Sequence, residues 1–169
     1  MDMEKYTFSQ VISTLVEIEQ GLAQFYEHLS KEVKDKTLKE LVSEAVQESL
    51  ARAESLNRVR QLTVTEFSLE PITGLNLEHY TLQINMIREE DPYSLDKAVE
   101  LEDTLQKLYQ EASARILSAS PDASELLVQF SRESRKRKLK LTSHRGMGAK
   151  LPKPSPGNNS MFKKTMNFK

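Results

Sequence analysis

Residues 16–29 read VEIEQGLAQFYEHL, and residues 99–112 read VELEDTLQKLYQEA. The two stretches share one pattern at an offset of 83: Val16-Glu17-Ile18-Glu19, Leu22 and Tyr26 against Val99-Glu100-Leu101-Glu102, Leu105 and Tyr109. A second pair repeats at an offset of 85, with Glu48-Ser49-x-x-Arg52 recurring as Glu133-Ser134-x-x-Arg137. Two nearly equal offsets in the same order point to a duplicated unit rather than to two chance matches.

Each copy of the unit reads as a helical hairpin. In residues 8–33, Val11, Leu15, Ile18, Leu22, Phe25 and Leu29 alternate spacings of four and three, an apolar stripe on one helix face. Thr7 and Gln10 have capping-box spacing at its start. Residues 36–60 form the second expected helix, with Thr37 and Glu40 as its box and Leu38, Leu41, Val42, Ala45, Ala53, Leu56 and Val59 as its stripe. The short connection makes these two helices antiparallel neighbours. A third helix is expected from Asp91-Pro92, which reads as an N-cap and first turn, to about Leu117. Its inward residues are Leu95, Ala98, Leu105, Leu108, Ala112 and Ile116. Ser120-Pro121 starts a fourth helix carrying Leu126, Leu127, Phe130 and Leu141 and fading near His144. Residues 61–90 break the pattern and read as a long crossover with one short helical turn near Leu77–Leu82. The expected fold is all-α: an antiparallel four-helix bundle over residues 1–145, followed by an extended basic tail over 146–169.

Glu19 and Glu102 fall on the apolar stripes, whereas Glu17 and Glu100 fall among polar neighbours. A carboxylate aimed at a core needs a cation, hydrogen bonds or a proton. Tyr26 and Tyr109 follow seven residues later on the same faces and can donate hydroxyls. The pattern therefore predicts a buried polar centre with these tyrosines supporting it.

VEIEQGLAQFYEHLSKE and VELEDTLQKLYQEAS resemble the first- and third-helix signatures of the ferritin-like, rubrerythrin-type four-helix bundles. NLEHYTLQINMIREEDPYSLDKAVELE is similar to that family's lead into its third helix, and the resemblance covers about residues 8–143. It implies a site for two iron or manganese ions, built from one Glu and one Glu-x-x-His per helix pair. Glu19 and Glu102 match the single-Glu positions. The other positions depart from the family: Ser49 and Ser134 stand where it has the ligand glutamate, and Arg52 and Arg137 where it has histidine. His28, His79 and His144 never follow a Glu by three residues. Arginine stays protonated and has no lone pair for a metal, but it can replace a metal's charge.

The expectation is a former metal site at Glu19, Ser49, Arg52, Glu102, Ser134 and Arg137, with Arg52 and Arg137 paired to Glu19 and Glu102 and no cofactor held. Two other readings stand beside it: both arginines turn to solvent around an ordinary core, or Glu19, Glu48, Glu102 and Glu133 form an all-carboxylate site for a hard cation.

Charge directs attention to the other end of the chain. Residues 134–169 hold eleven of the 24 basic residues and no acidic one. The first 133 residues thus hold thirteen basic against 25 acidic residues, a net of −12 inside a total of −1. Such a split often marks an interaction arm. Arg145, Lys150, Lys153, Met161, Phe162, Lys163, Lys164, Met166 and Phe168 are the expected partner-binding residues, apolar anchors among cations.

The chain contains no cysteine, which excludes disulfides, thiolate metal sites and thiol nucleophiles and suits a reducing, cytoplasmic setting. No apolar run approaches the ~20 residues of a membrane span, and no secretory pattern opens the chain. The leading expectation is a non-catalytic accessory or regulatory protein that docks on a larger protein complex through its tail. The family resemblance supplies a rival, a di-metal peroxidase or oxidative-stress sensor. The tail supplies a third reading, binding to nucleic acid or an anionic membrane. Homodimerisation, common in that family, is left open.

Overall fold

Among the described residues five α-helices follow one another: α1 Phe8–Glu32, α2 Lys36–Leu62, α3 Leu77–Glu89, α4 Leu95–Ile116 and α5 Pro121–Met147. The computed structural model describes residues 4–62, 71–90 and 93–147. Among these the protein is an all-helical bundle with no strand. A single antiparallel bridge joins Tyr6 to Ile72, through Tyr6 N–H to Ile72 O at 3.0 Å and Ile72 N–H to Tyr6 O at 2.7 Å.

Local chemistry explains most helix starts. Thr7 caps α1 with a full capping box: its Oγ1 accepts from Gln10 N–H at 3.0 Å, and Gln10 Oε1 accepts from Thr7 N–H at 2.8 Å. The expected Thr37–Glu40 box gives way to Asp35, whose carboxylate accepts from Leu38 N–H at 2.8 Å. A carboxylate there also faces the positive end of the helix dipole. Ser120 Oγ accepts from Ala123 N–H at 3.1 Å at the start of α5. The expected start of α4 at Asp91-Pro92 is corrected: Ser94 is the N-cap, accepting from Lys97 N–H at 3.2 Å. Residues 91 and 92 lie outside the described residues.

The apolar stripes turn inward. Every stripe residue named for α1 and α4 is buried, as are Leu38, Val42, Ala45, Ala53 and Leu56 of α2 and Leu127, Phe130 and Leu141 of α5. Leu41, Val59 and Leu126 pack at the core's edge. α1 packs along α2, and α4 along α5; α2 also meets α5. Each hairpin closes its own half of the core.

The crossover needs a larger correction. The single turn expected near Leu77–Leu82 is a thirteen-residue helix, α3, that packs on both α1 and α4. Leu77, Tyr80, Ile84 and Ile87 are its buried face. Tyr80 Oη donates to Glu111 of α4 at 2.8 Å. Gly74 precedes it at φ 79°, a left-handed conformation that favours glycine. The Arg115 guanidinium lies over it, 2.8 Å from where a Cβ would stand. α5 runs to Met147, past the expected end near His144.

Candidate functional site

Near the middle of the four long helices, the two hairpins meet through charged side chains inside the core. Glu19 and Glu102 are fully buried, and Ser49, Ser134, Arg52 (3 % exposed) and Arg137 (4 % exposed) surround them. Helix spacing puts them there. Glu19 lies four residues after Leu15 and three before Leu22, on the most apolar face of α1. Ser49 and Arg52 share a face of α2 because i and i+3 are neighbours on a helix, and Ser134 and Arg137 repeat this on α5.

The contacts follow an approximate twofold pattern. Within each hairpin an arginine meets a glutamate: Arg52 Nη1 lies 3.5 Å from Glu19 Oε2, and Arg137 Nη1 lies 2.8 Å from Glu102 Oε2. Between hairpins the tyrosines cross over. Tyr109 of α4 donates to Glu19 Oε2, and Tyr26 of α1 donates to Glu102 Oε2. The arginines also cross: Arg52 Nε reaches Glu133 at 3.3 Å and its Nη1 reaches Ser134 Oγ at 3.4 Å, while Arg137 Nη2 reaches Glu48 at 2.6 Å. Each guanidinium also lies over a ring, 5.4 Å from its centroid, Arg52 over Phe130 and Arg137 over Tyr26.

The protonation states follow from this packing. Burial pushes the Glu19 carboxyl upward, opposed by Arg52 and the Tyr109 hydroxyl. Burial raises the Tyr26 and Tyr109 phenols well above their ordinary value, reinforced by the Glu102 and Glu19 carboxylates respectively, so both remain neutral donors. Burial works against charge on Arg52 and Arg137, yet Glu19 and Glu102 hold both raised and cationic.

The geometry gathers Glu19, Ser49, Arg52, Glu102, Ser134, Arg137, Tyr26 and Tyr109 into one centre. It does not gather the four carboxylates. Glu48 and Glu133 lie at the α2–α5 surface with side chains 50 % and 40 % exposed, each held by an arginine of the other hairpin. Among the described residues no group of three or more His, Asp or Glu side chains is placed to hold a metal ion. Nor do the residues suit the two ions that the family resemblance implies. Guanidinium N–H groups face the carboxylates and supply positive charge where ligands would have to supply lone pairs.

Five side-chain atoms of the centre are buried without a hydrogen-bond partner: Glu19 Oε1, Ser49 Oγ, Arg52 Nη2, Glu102 Oε1 and Arg137 Nε. A groove of about 100 Å³ between α2 and α5 reaches Arg137 of the centre, lined also by Leu41, Glu44, Glu48, Glu133 and Lys136 among others.

Of the expected tail residues only Arg145 is described. It stands on α5 and its Nη1 is 3.0 Å from Asp96 of α4, both exposed. Lys150, Lys153, Met161, Phe162, Lys163, Lys164, Met166 and Phe168 lie outside the described residues. No described helix is long and apolar enough to cross a membrane. Sequence reading missed the cross-hairpin reach of the arginines and Phe130 beneath Arg52. The repeated Glu48 and Glu133 immediately before the serines were the available signal for the former.

Comparison with family models, with curated proteins and with solved structures finds no match to this chain.

Proposed function

We propose that the chain is a ferritin-like bundle whose two-metal centre has been closed by arginines, and that it serves as a non-catalytic accessory or regulatory protein. One observation carries this reading. The two buried glutamates stand on α1 and α4 at the single-Glu positions of the family the sequence resembles, and each meets an arginine that occupies a histidine position. Four charges of opposite sign satisfy one another at the centre. Such an arrangement holds two hairpins in register but offers no open ligand position.

With the centre closed, partner binding is assigned to the basic tail in a reducing, cytoplasmic setting. The bundle is the platform, and the tail docks on an acidic, partly apolar face of a larger protein complex. The absence of any acidic residue after Glu133 supports this role.

Two measurements test the two halves of the reading. Purified full-length protein, grown with iron and manganese supplied, is expected to hold no stoichiometric metal by elemental analysis. About two ions per chain would restore the enzymatic reading. Affinity purification compares the full chain with a form ending at Met147, which keeps α5 and the Arg145–Asp96 pair whole. A protein partner lost only from the shortened form supports docking. Identical partner sets, or retention by RNA or anionic vesicles alone, would refute it.

A further inference from the structure

The five unpartnered atoms at the centre are of two kinds. Glu19 Oε1 and Glu102 Oε1 only accept, Arg52 Nη2 and Arg137 Nε only donate, and Ser49 Oγ does either. All belong to side chains at most 4 % exposed. Buried polar atoms in a native fold find partners, protein or water. A cation would satisfy the carboxylates but meet two guanidiniums. An anion would satisfy the guanidiniums but meet two carboxylates. The species that serves both kinds is small, neutral, and both donor and acceptor.

The departure from twofold symmetry locates it. In one half Ser134 Oγ accepts directly from Arg52 Nη1 at 3.4 Å. In the other half Ser49, the equivalent residue, has no such bond from Arg137, whose Nη groups are taken by Glu102 and Glu48. The same approximate twofold relation that sets Ser134 beside Arg52 sets Ser49 beside Arg137, so Arg137 Nε, Glu102 Oε1 and Ser49 Oγ form the unpartnered set of that half, two acceptors and a donor counting the hydroxyl as acceptor. Buried waters make about three hydrogen bonds each, which is the number this half offers. The groove between α2 and α5 reaches one member of this set, Arg137, which lines it with Glu48 and Glu133.

We propose that the bundle centre is an internal hydration site, with one exchangeable water bridging Ser49, Glu102 and Arg137 and entering between α2 and α5. A second water serves Arg52 Nη2 and Glu19 Oε1. This inference rests on the closed-centre reading and deepens it: the centre takes a neutral hydrogen-bonding ligand in place of ions.

The test is ¹⁷O magnetic relaxation dispersion of the full chain, which counts waters held longer than the protein tumbles. Ser49→Val is expected to reduce the dispersion amplitude by one long-lived water. Ser134→Val is expected to leave it unchanged, since that hydroxyl already has a protein partner. Equal amplitudes in wild type and Ser49→Val, or equal losses in both variants, overturn the proposal. Should Ser49→Val fail to fold by circular dichroism, a high-resolution crystal structure of the wild type decides. Density touching Glu102 Oε1 and Arg137 Nε supports the water, and a direct Ser49–Arg137 bond without density refutes it. Stoichiometric manganese in the protein would instead sink the closed-centre reading, so the two failures are distinct.

Discussion

Replacing Arg137 by methionine keeps much of the side chain's apolar bulk while removing its charge and five N–H donors. Glu102 would then be a fully buried carboxylate with the Tyr26 hydroxyl as its remaining partner. Breaking a buried pair from one side costs about 3–5 kcal/mol, because the remaining charge is uncompensated. The lost contact to half-exposed Glu48 adds at most about 1 kcal/mol. For a chain of this size each kcal/mol lowers the melting midpoint by roughly 2–4 °C, so a fall of about 10 °C is expected. Arg137→Met/Glu102→Gln removes both charges, and the expected loss shrinks to about 1–2 kcal/mol, since a neutral buried pair carries no desolvated charge. Arg52→Met should cost less than Arg137→Met, roughly 1.5–3 kcal/mol, the range for hydrogen bonds to charged groups. Its three contacts are all long, 3.3–3.5 Å against 2.6 and 2.8 Å for Arg137. Burial also raises the Glu19 carboxyl, so Glu19 can take up a proton when Arg52 is lost. The chain has no tryptophan, so urea unfolding followed by helical circular dichroism is the assay. If Arg137→Met costs under about 1 kcal/mol, or costs no more than the double variant, the guanidinium is not balancing a buried charge and the reasoning fails.

Ser49→Glu/Arg52→His/Ser134→Glu/Arg137→His rebuilds the ligand set of the family that the sequence resembles, and elemental analysis is expected to show iron or manganese in it and none in the wild type. Tyr80, whose phenol burial and the Glu111 bond push up to about 12, keeps its proton longer in the folded chain than in the unfolded one. Its contribution is thus fully present below about pH 10 and lost as pH rises through about 12; Tyr80→Phe should flatten that limb of the stability curve. Asp103 has the opposite sign, because hydrogen bonds from Lys138 and Lys107 hold its carboxyl below the usual range. Its contribution is present at neutral pH and lost as pH falls through that lowered value, and Asp103→Asn should remove this acid-limb term, worth under about 1 kcal/mol at a partly exposed site. Gly74→Ala forces a left-handed backbone on alanine and places a Cβ 2.8 Å from the Arg115 guanidinium. A stability loss of about 1–2 kcal/mol is expected, read as a lowered unfolding midpoint, and an unchanged midpoint would count against the strain.

The centre was legible because its signals are local and duplicated. Glu19 and Glu102 sit between Leu15 and Leu22 and between Ala98 and Leu105 on the apolar stripes, and a charge there is conspicuous at helix spacing. The tyrosines seven residues on share that face, so their donation to the carboxylates followed from spacing, although which glutamate each would reach did not. Tyr26 and Tyr109 cross to the other hairpin's glutamate. The long arginine side chains were ambiguous for the same reason: periodicity gives a face, not the direction in which a flexible stem extends. α3 was hidden because Leu82 and Met86 are exposed opposite its buried Leu77, Tyr80, Ile84 and Ile87. Apolar residues on both faces erase the amphipathic period. At α4, the Asp-Pro pair at 91–92 reads as a strong start signal and drew attention from Ser94, three residues on, which caps the helix.

Charge arithmetic explains why a closed centre would require both kinds of replacement. In the family that the chain resembles, four carboxylates face two divalent ions, and the charges cancel. Two arginines replacing the histidines supply only two positive charges, so with all four ligand glutamates retained the centre would carry an excess of −2 in a buried site. An uncompensated buried charge is costly enough to decide whether a marginally stable domain folds. On the proposed reading, Ser49 and Ser134 stand in place of two carboxylates, and Glu19 and Glu102 against Arg52 and Arg137 cancel again. The remaining nearby carboxylates, Glu48 and Glu133, stay half-exposed, where water shares their solvation. On this argument Ser49→Glu/Ser134→Glu alone, with both arginines kept, should destabilise the bundle more than the fourfold variant does when manganese is supplied. Thermal unfolding with and without manganese separates the two. If the twofold variant is as stable as the wild type, charge balance is not what couples the serines to the arginines.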